Sequence, residues 1–150
     1  MESRRPLVWP LAGALLGFVL LAASVEHGMT RGSVLSLLGT TQTIIGQRIA
    51  YPTEAPAKVT AVIVTMLPGE ATGWHRHDIP MFGYILEGEV TVDYGAKGTR
   101  IYKKGDALME AIDWEHNGRN SGSGPARVLA VFMGAEGVPD TDVLPSPPPQ

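Results

Sequence analysis

The sequence predicts an all-β fold, a sandwich or a barrel, on three observations. Its 18 glycines and 12 prolines are spread as frequent punctuation, which favours short strands and turns over long helices. Between them lie about eight short apolar or alternating runs, the spacing of sandwiches and barrels. After residue 39 no stretch reads convincingly as a helix. Pattern alone does not choose between the two architectures. At 150 residues the chain is one domain, long enough to bury a core.

The N-terminus stands apart. Arg4 and Arg5 precede LVWPLAGALLGFVLLAASV, residues 7–25, and no further charge appears before Glu26. A positive start, an apolar stretch and the small residues Ala22-Ala23-Ser24 fit a secretory signal peptide. The stretch is also just long enough to span a bilayer as an uncleaved anchor, with the arginines held inside. Ser3-Arg4-Arg5-Pro6-Leu7-Val8 resembles a twin-arginine export signal, although the charged start is very short. Residues 1–26 are therefore expected to be a signal peptide or a membrane anchor. The protein is expected to be exported, periplasmic or extracellular, or else held to the membrane through residues 7–25. Residues 27–39 read as a linker, in which Ser33 to Leu38 form a short helical turn or nothing regular.

From residue 40 to 140 the character is β. Thr43 to Tyr51 reads as a strand broken at Gly46, and Glu54 to Lys58 as a turn around Pro56. KVTAVIVTMLPG is a strand of β-branched residues ending at the Pro68-Gly69 turn. Val90, Val92 and Tyr94 alternate with Glu89, Thr91 and Asp93, the period of a half-buried strand. Thr99 to Lys103 follows after a glycine turn. Ala107 to Ala111 is short and apolar except for Glu110. RVLAVFM, residues 127–133, is apolar on both faces and reads as a central strand. Residues 141–150 close in PSPPPQ and read as a disordered, proline-rich tail.

Charge and cysteine content narrow the function classes. The formal net charge is -3 and no basic stripe appears, so a nucleic-acid partner has no electrostatic support. There is no cysteine, hence no disulfide framework and no thiolate metal site.

The chain has four histidines, and two of them sit one residue apart in GWHRHDIPMFGYILEGEV, residues 73–90. In an extended strand residues i and i+2 face the same side, so His75 and His77 project together and Arg76 turns away. A third, His116, lies 41 residues after His75 in GDALMEAIDWEHNGRN. His27 falls at the leader boundary and reads as unrelated.

These two stretches resemble the cupin family. Its first motif is glycine, five residues, His-x-His, three or four residues, Glu, six residues, glycine; here it is met by Gly69, His75, His77, Met81 and Gly88. Its second is glycine, five residues, Pro-x-Gly, two residues, His, three residues, Asn; here it is met by Gly105, Ala111, Asp113, His116 and Asn120. Every spacing fits over roughly residues 59–133. Three positions depart: Met81 replaces Glu, Ala111 replaces Pro and Asp113 replaces Gly. The resemblance implies a single-domain jelly-roll β-barrel holding one divalent transition metal, Fe, Mn, Ni, Cu or Zn, on His75, His77 and His116.

Neutral imidazole suits those ions, and three such ligands leave positions open for water or substrate. Met81 reads as barrel packing rather than a thioether ligand, because methionine fills irregular interiors readily. The family includes three-histidine iron dioxygenases, so the missing carboxylate does not exclude catalysis. Glu110 is the candidate catalytic group: a glutamate among Ala107, Leu108, Met109 and Ala111 is costly to bury without a partner, and bound metal or substrate would supply one. Its competing reading is an edge strand with Glu110 in solvent. Trp74, Tyr84 and Trp114 read as core or rim aromatics. The expected activity is that of a metal-dependent dioxygenase or isomerase on a small oxygen-bearing molecule, and the competing class is a non-enzymatic small-molecule or metal-binding module at the cell envelope. A small-molecule ligand and a homodimer complete the partner expectations.

Overall fold

The structure, a computed structural model, describes residues 32–145. The leader, His27 and residues 146–150 lie outside the described residues. The compact unit containing the sheets starts at Leu35. Ser33 to Leu38 form nothing regular, the second of the two expected states.

Among the described residues nine strands follow: β1 (Ala57–Met66), β2 (His75–Arg76), β3 (Met81–Glu87), β4 (Glu89–Asp93), β5 (Thr99–Lys103), β6 (Ala107–Met109), β7 (Asn117–Asn120), β8 (Ala126–Ala135) and β9 (Asp142–Val143). One sheet has the order β1-β8-β3-β6, a second β5-β4-β7, and β2 pairs with β9. Every pairing is antiparallel. This is the expected all-β jelly roll, and β8 sits between β1 and β3 as its two-faced apolar sequence requires.

Three segments differ from the sequence expectation. Thr43 to Tyr51 is not a strand: the Thr43 N–H donates to the Gln47 carbonyl at 2.8 Å, and Gly46 turns the chain at φ 86°. Ile44 and Ile45 instead pack on the core, and the Gln47 amide donates to the Ile112 carbonyl at 2.6 Å while accepting from the Ile112 N–H at 3.0 Å. β7 went unpredicted because Asn-Gly-Arg-Asn has no β-branched residue; it is held by register with β4. Asp142 and Val143, expected to lie in the disordered tail, instead pair with Arg76 and His75.

The glycines and the asparagine of the two motifs are turn chemistry. Gly69, Gly88 and Gly105 all have positive φ, at 83°, 76° and 96°. At Gly88 a Cβ would also meet the Pro125 carbonyl oxygen at 2.5 Å. Asn120, 1% exposed, donates to the carbonyls of Met66 (2.9 Å) and Gly124 (2.8 Å) and accepts from the Gly122 N–H, tying the end of β1 to the turn between β7 and β8. Asp113, which stands where the family motif has glycine, has φ 47°, and among the described residues it is alone in that conformation outside glycine. Aspartate tolerates the left-handed region better than most residues.

Gly88→Ala should therefore destabilise by about 2 kcal/mol or more, from left-handed backbone strain plus overlap with main chain. Asp113→Ala should cost about 1 kcal/mol, and Asp113→Gly less, because glycine has no left-handed penalty. Urea titrations of the three variants give the order, and an Asp113→Ala variant more stable than Asp113→Gly would contradict the strain argument.

Candidate metal centre

The centre is assembled by backbone register. His75 and His116 form a hydrogen-bonded antiparallel pair, His75 N–H to His116 carbonyl at 3.0 Å and His116 N–H to His75 carbonyl at 2.9 Å. Residues paired this way present their side chains on the same face. His77 is two residues beyond His75 and joins that face. The three ring centroids lie 4.3–5.1 Å apart, and one nitrogen from each ring lies within 4.8 Å of the others.

Each ring has its Nδ1 against a main-chain carbonyl: His75 on Gly73 at 2.8 Å, His77 on Asp140 at 2.9 Å and His116 on Trp114 at 2.8 Å. A carbonyl only accepts, so each neutral ring carries its proton on Nδ1 and offers the Nε2 lone pair. The Nε2 atoms of His77 and His116 are buried and have no hydrogen-bond partner among the described residues. Two orphaned acceptors beside a third imidazole are the donor set a divalent transition ion takes.

Burial sets the charge state. His77 and His116 are each 2% exposed, and His75 is half-buried. Desolvation lowers the pKa of all three; repulsion from His116 adds to it at His75 and His77, and His77 falls to about 3. All three are neutral near pH 7, the form in which imidazole ligates.

Glu110 is also inside, 4% exposed, and its carboxylate Oε2 lies 3.8 Å from His116 Nε2. Oε1 accepts from the Ala111 N–H at 2.8 Å. Burial pushes this carboxyl well above the usual range, with the Ala111 N–H opposing. Below it the Tyr94 and Tyr102 hydroxyls are 3.1 Å apart, and burial raises both, Tyr102 to about 12. The three histidines and Glu110 line a cavity of about 230 Å³ between the sheets.

On the opposite side of β2, Arg76 reaches Asp113 at 3.1 Å and Asp78 and Asp142 at 3.5 Å. The strand whose inner side carries two imidazoles thus fastens, on its outer side, the turn before His116 and the strand β9. Asp140 and Thr141, next to β9, close on His77: the Asp140 carbonyl is one partner of its Nδ1, and the Thr141 hydroxyl lies 3.1 Å from the same atom.

The cupin-domain family model matches residues 62–132 of this chain. The chain belongs to the cupin superfamily. No curated protein matches it. Among solved structures, the oxalate decarboxylase of Lactobacillus farciminis in its formate complex is 25% identical at a TM-score of 0.51, over 57% of this chain and 26% of that one. The DMSP lyase DddQ of Ruegeria pomeroyi is 21% identical at 0.50, over 57% and 42%. TT1209 of Thermus thermophilus is 31% identical at 0.44, over 49% and 70%. The match thus spans about a quarter of the decarboxylase chain. With three convergent imidazoles and this family, the chain is a metal-binding cupin for a divalent ion.

Of the residues singled out by sequence, His75, His77 and His116 converge, and Glu110 joins them through His116 rather than standing in solvent. Met81 lines the same cavity but belongs to the apolar cluster of Ile79, Ala130 and Phe132. Trp74, Tyr84 and Trp114 do not line it; Trp114 packs beside the core and donates to the Tyr94 carbonyl at 2.9 Å. Sequence reasoning missed Phe132, whose ring meets His77 edge-on at 5.2 Å, and Thr141. The first is hidden in a strand apolar on both faces, and the second lay in the presumed tail. Tyr94 was visible as the last inward residue of the Val90-Val92 alternation.

Two outcomes test the centre. Unfolded histidine takes up a proton near 6.5, but folded His77 not until about 3, so acidification across that window costs stability. The cost is about 1.4 kcal/mol per pH unit for one such residue. Glu110 has the opposite sign: burial raises its folded carboxyl above the unfolded value of 4.5, so above 4.5 the unfolded state loses its proton first and the cost grows as pH rises. Three histidines outweigh one glutamate. The melting temperature of metal-free protein should fall from about pH 7 to about pH 5, and Glu110→Gln should steepen the fall; a flat profile would contradict neutral burial. Met81→Leu, a volume-conserving swap, should keep metal stoichiometry, and loss of metal by mass spectrometry would make the thioether a ligand.

Proposed function

We propose that this cupin is a metal-dependent enzyme, a dioxygenase or isomerase acting on a small oxygen-bearing molecule such as an enediol, diketone or phenol. The observation that carries it is the pairing of a three-imidazole group with one buried carboxyl that has no other ionic partner in the cavity among the described residues. His75, His77 and His116 would hold the ion, and their Nδ1 carbonyl bonds fix which nitrogen faces it. A divalent ion there supplies a Lewis acid with open positions, and iron would add redox chemistry with dioxygen. Glu110 Oε1 accepts from the Ala111 N–H and Oε2 lies toward His116 Nε2, beside the ion's place, where it would exchange a proton with a ligand hydroxyl or its adjacent carbon. Likeness to the oxalate decarboxylase supports an enzymatic reading while leaving the substrate open. The site acts outside the cytoplasm, delivered or anchored by residues 7–25.

Iron-loaded protein should consume oxygen with members of such a panel. His77→Ala should remove both iron and uptake. Glu110→Gln should keep iron and slow turnover about a hundredfold or more, the usual weight of one general acid–base group. A second reading, a non-enzymatic binding module, is favoured by the absence of any other acid–base side chain in the cavity wall among the described residues. A protein that purifies with zinc and stays silent across the panel when reloaded with iron establishes that reading instead.

A further inference from the structure

The cavity has two chemically different ends. At one are the imidazoles and Glu110. The remaining wall is built from Val64, Val90, Val92, Val128, Ala130 and Phe132, with no lysine, arginine, asparagine or glutamine in the lining among the described residues. Val90, Val92 and Ala130 are at most 6% exposed and Phe132 is 7%, so this wall is interior. The remaining polar contributions are the small Thr72 and Thr141, and both are already engaged. Thr72 accepts from the Gly118 N–H at 3.0 Å and lies 3.4 Å from His75 Nδ1, and Thr141 lies 3.1 Å from His77 Nδ1.

From this wall we infer the class of ligand: a molecule with one compact oxygen-bearing head and an apolar body, rather than a small dianion such as oxalate. This rests on the metal reading above. A head of two oxygens finds the ion and Glu110. Oxalate would chelate through one oxygen of each carboxylate and turn its two outer, charge-bearing oxygens onto valine and phenylalanine with no cation or donor, and burying unpaired charge is expensive. An alkyl or aryl body gains from the same surface, because each methylene moved from water onto it is favourable. At about 230 Å³ the cavity lies below the usual range for drug-sized ligands, about 300–1,000 Å³, so the body is short.

The test uses zinc-loaded protein, which removes redox chemistry, and titrates it calorimetrically with acetohydroxamate, butyrohydroxamate and oxalate while zinc retention is followed. The two hydroxamates share one two-oxygen head and differ by two methylenes, so butyrohydroxamate should bind about tenfold tighter. Oxalate should bind no better than acetohydroxamate. Val92→Thr, which keeps the shape of the wall and adds a hydroxyl, should shrink the gain from the longer chain. Equal affinity for the two hydroxamates, or oxalate binding tightest with zinc still in place, overturns the ligand class and leaves the metal site standing. Failure to take up zinc at all overturns the metal reading and this inference with it.

Discussion

An imidazole cannot be buried with a bare N–H, and the centre of this barrel is organised around that constraint. Three rings lie together in a cavity that is otherwise mostly apolar, and each donates Nδ1–H to a main-chain carbonyl, those of Gly73, Trp114 and Asp140. The satisfied proton fixes the tautomer, the tautomer fixes which lone pair faces inward, and burial keeps the ring uncharged. Sheet register supplies the rest, because a cross-strand pair and an i+2 neighbour share a face whatever else the sequence does. Among the described residues the inward nitrogens of His77 and His116 have no partner, which is costly in a protein interior and is offset when an ion binds.

The outer side of the same strand answers a mechanical need. β2 is two residues long and has only β9 and the His116 bridge to hold it among the described residues. Arg76 adds three carboxylates from three segments, among them the left-handed Asp113. Partly exposed pairs contribute little singly. Here one guanidinium joins the loop before β3, the turn before His116 and the final strand, so its value is positional. Asp113 thus has a reason to replace glycine: the turn accepts the cost of a side chain there, and the side chain reaches Arg76.

Much of this was legible in the sequence, and the reasons are particular. Alternation at Val90-Val92-Tyr94 and the apolar Val128 to Met133 gave strand, face and centrality, because a period of two is written directly into residue order. His75, His77 and His116 were legible because motif spacing encodes turn lengths, and Gly69, Gly88 and Gly105 are the left-handed turns that keep those lengths. What failed depended on distant partners. Thr43 to Tyr51 has strand-forming residues, but it bonds to itself through Thr43 and Gln47 and to the distant Met109 and Ile112 through Ile44 and Gln47. β7 has no strand signal of its own, and Asp142–Val143 is ordered only by pairing with His75–Arg76. For Glu110 the sequence favours the interior but leaves a solvated edge strand open, and the pairing of β6 with β3, with Glu110 just beyond it, decides between them.

The order of biosynthesis adds a consequence of where β8 and β9 lie. Strands β1 and β3 emerge from the ribosome well before residues 126–135, yet the strand that joins them in the sheet is β8. Until that segment is synthesised, two apolar strand edges have no neighbour, a state prone to wrong pairing. All three imidazoles have left the peptidyl-transferase centre by residue 116, but the carbonyl that orients His77 is not made until residue 140. The nascent chain therefore carries its ligands for some time before it has a place to put them, and a metal encountered early would meet loose histidines rather than a site.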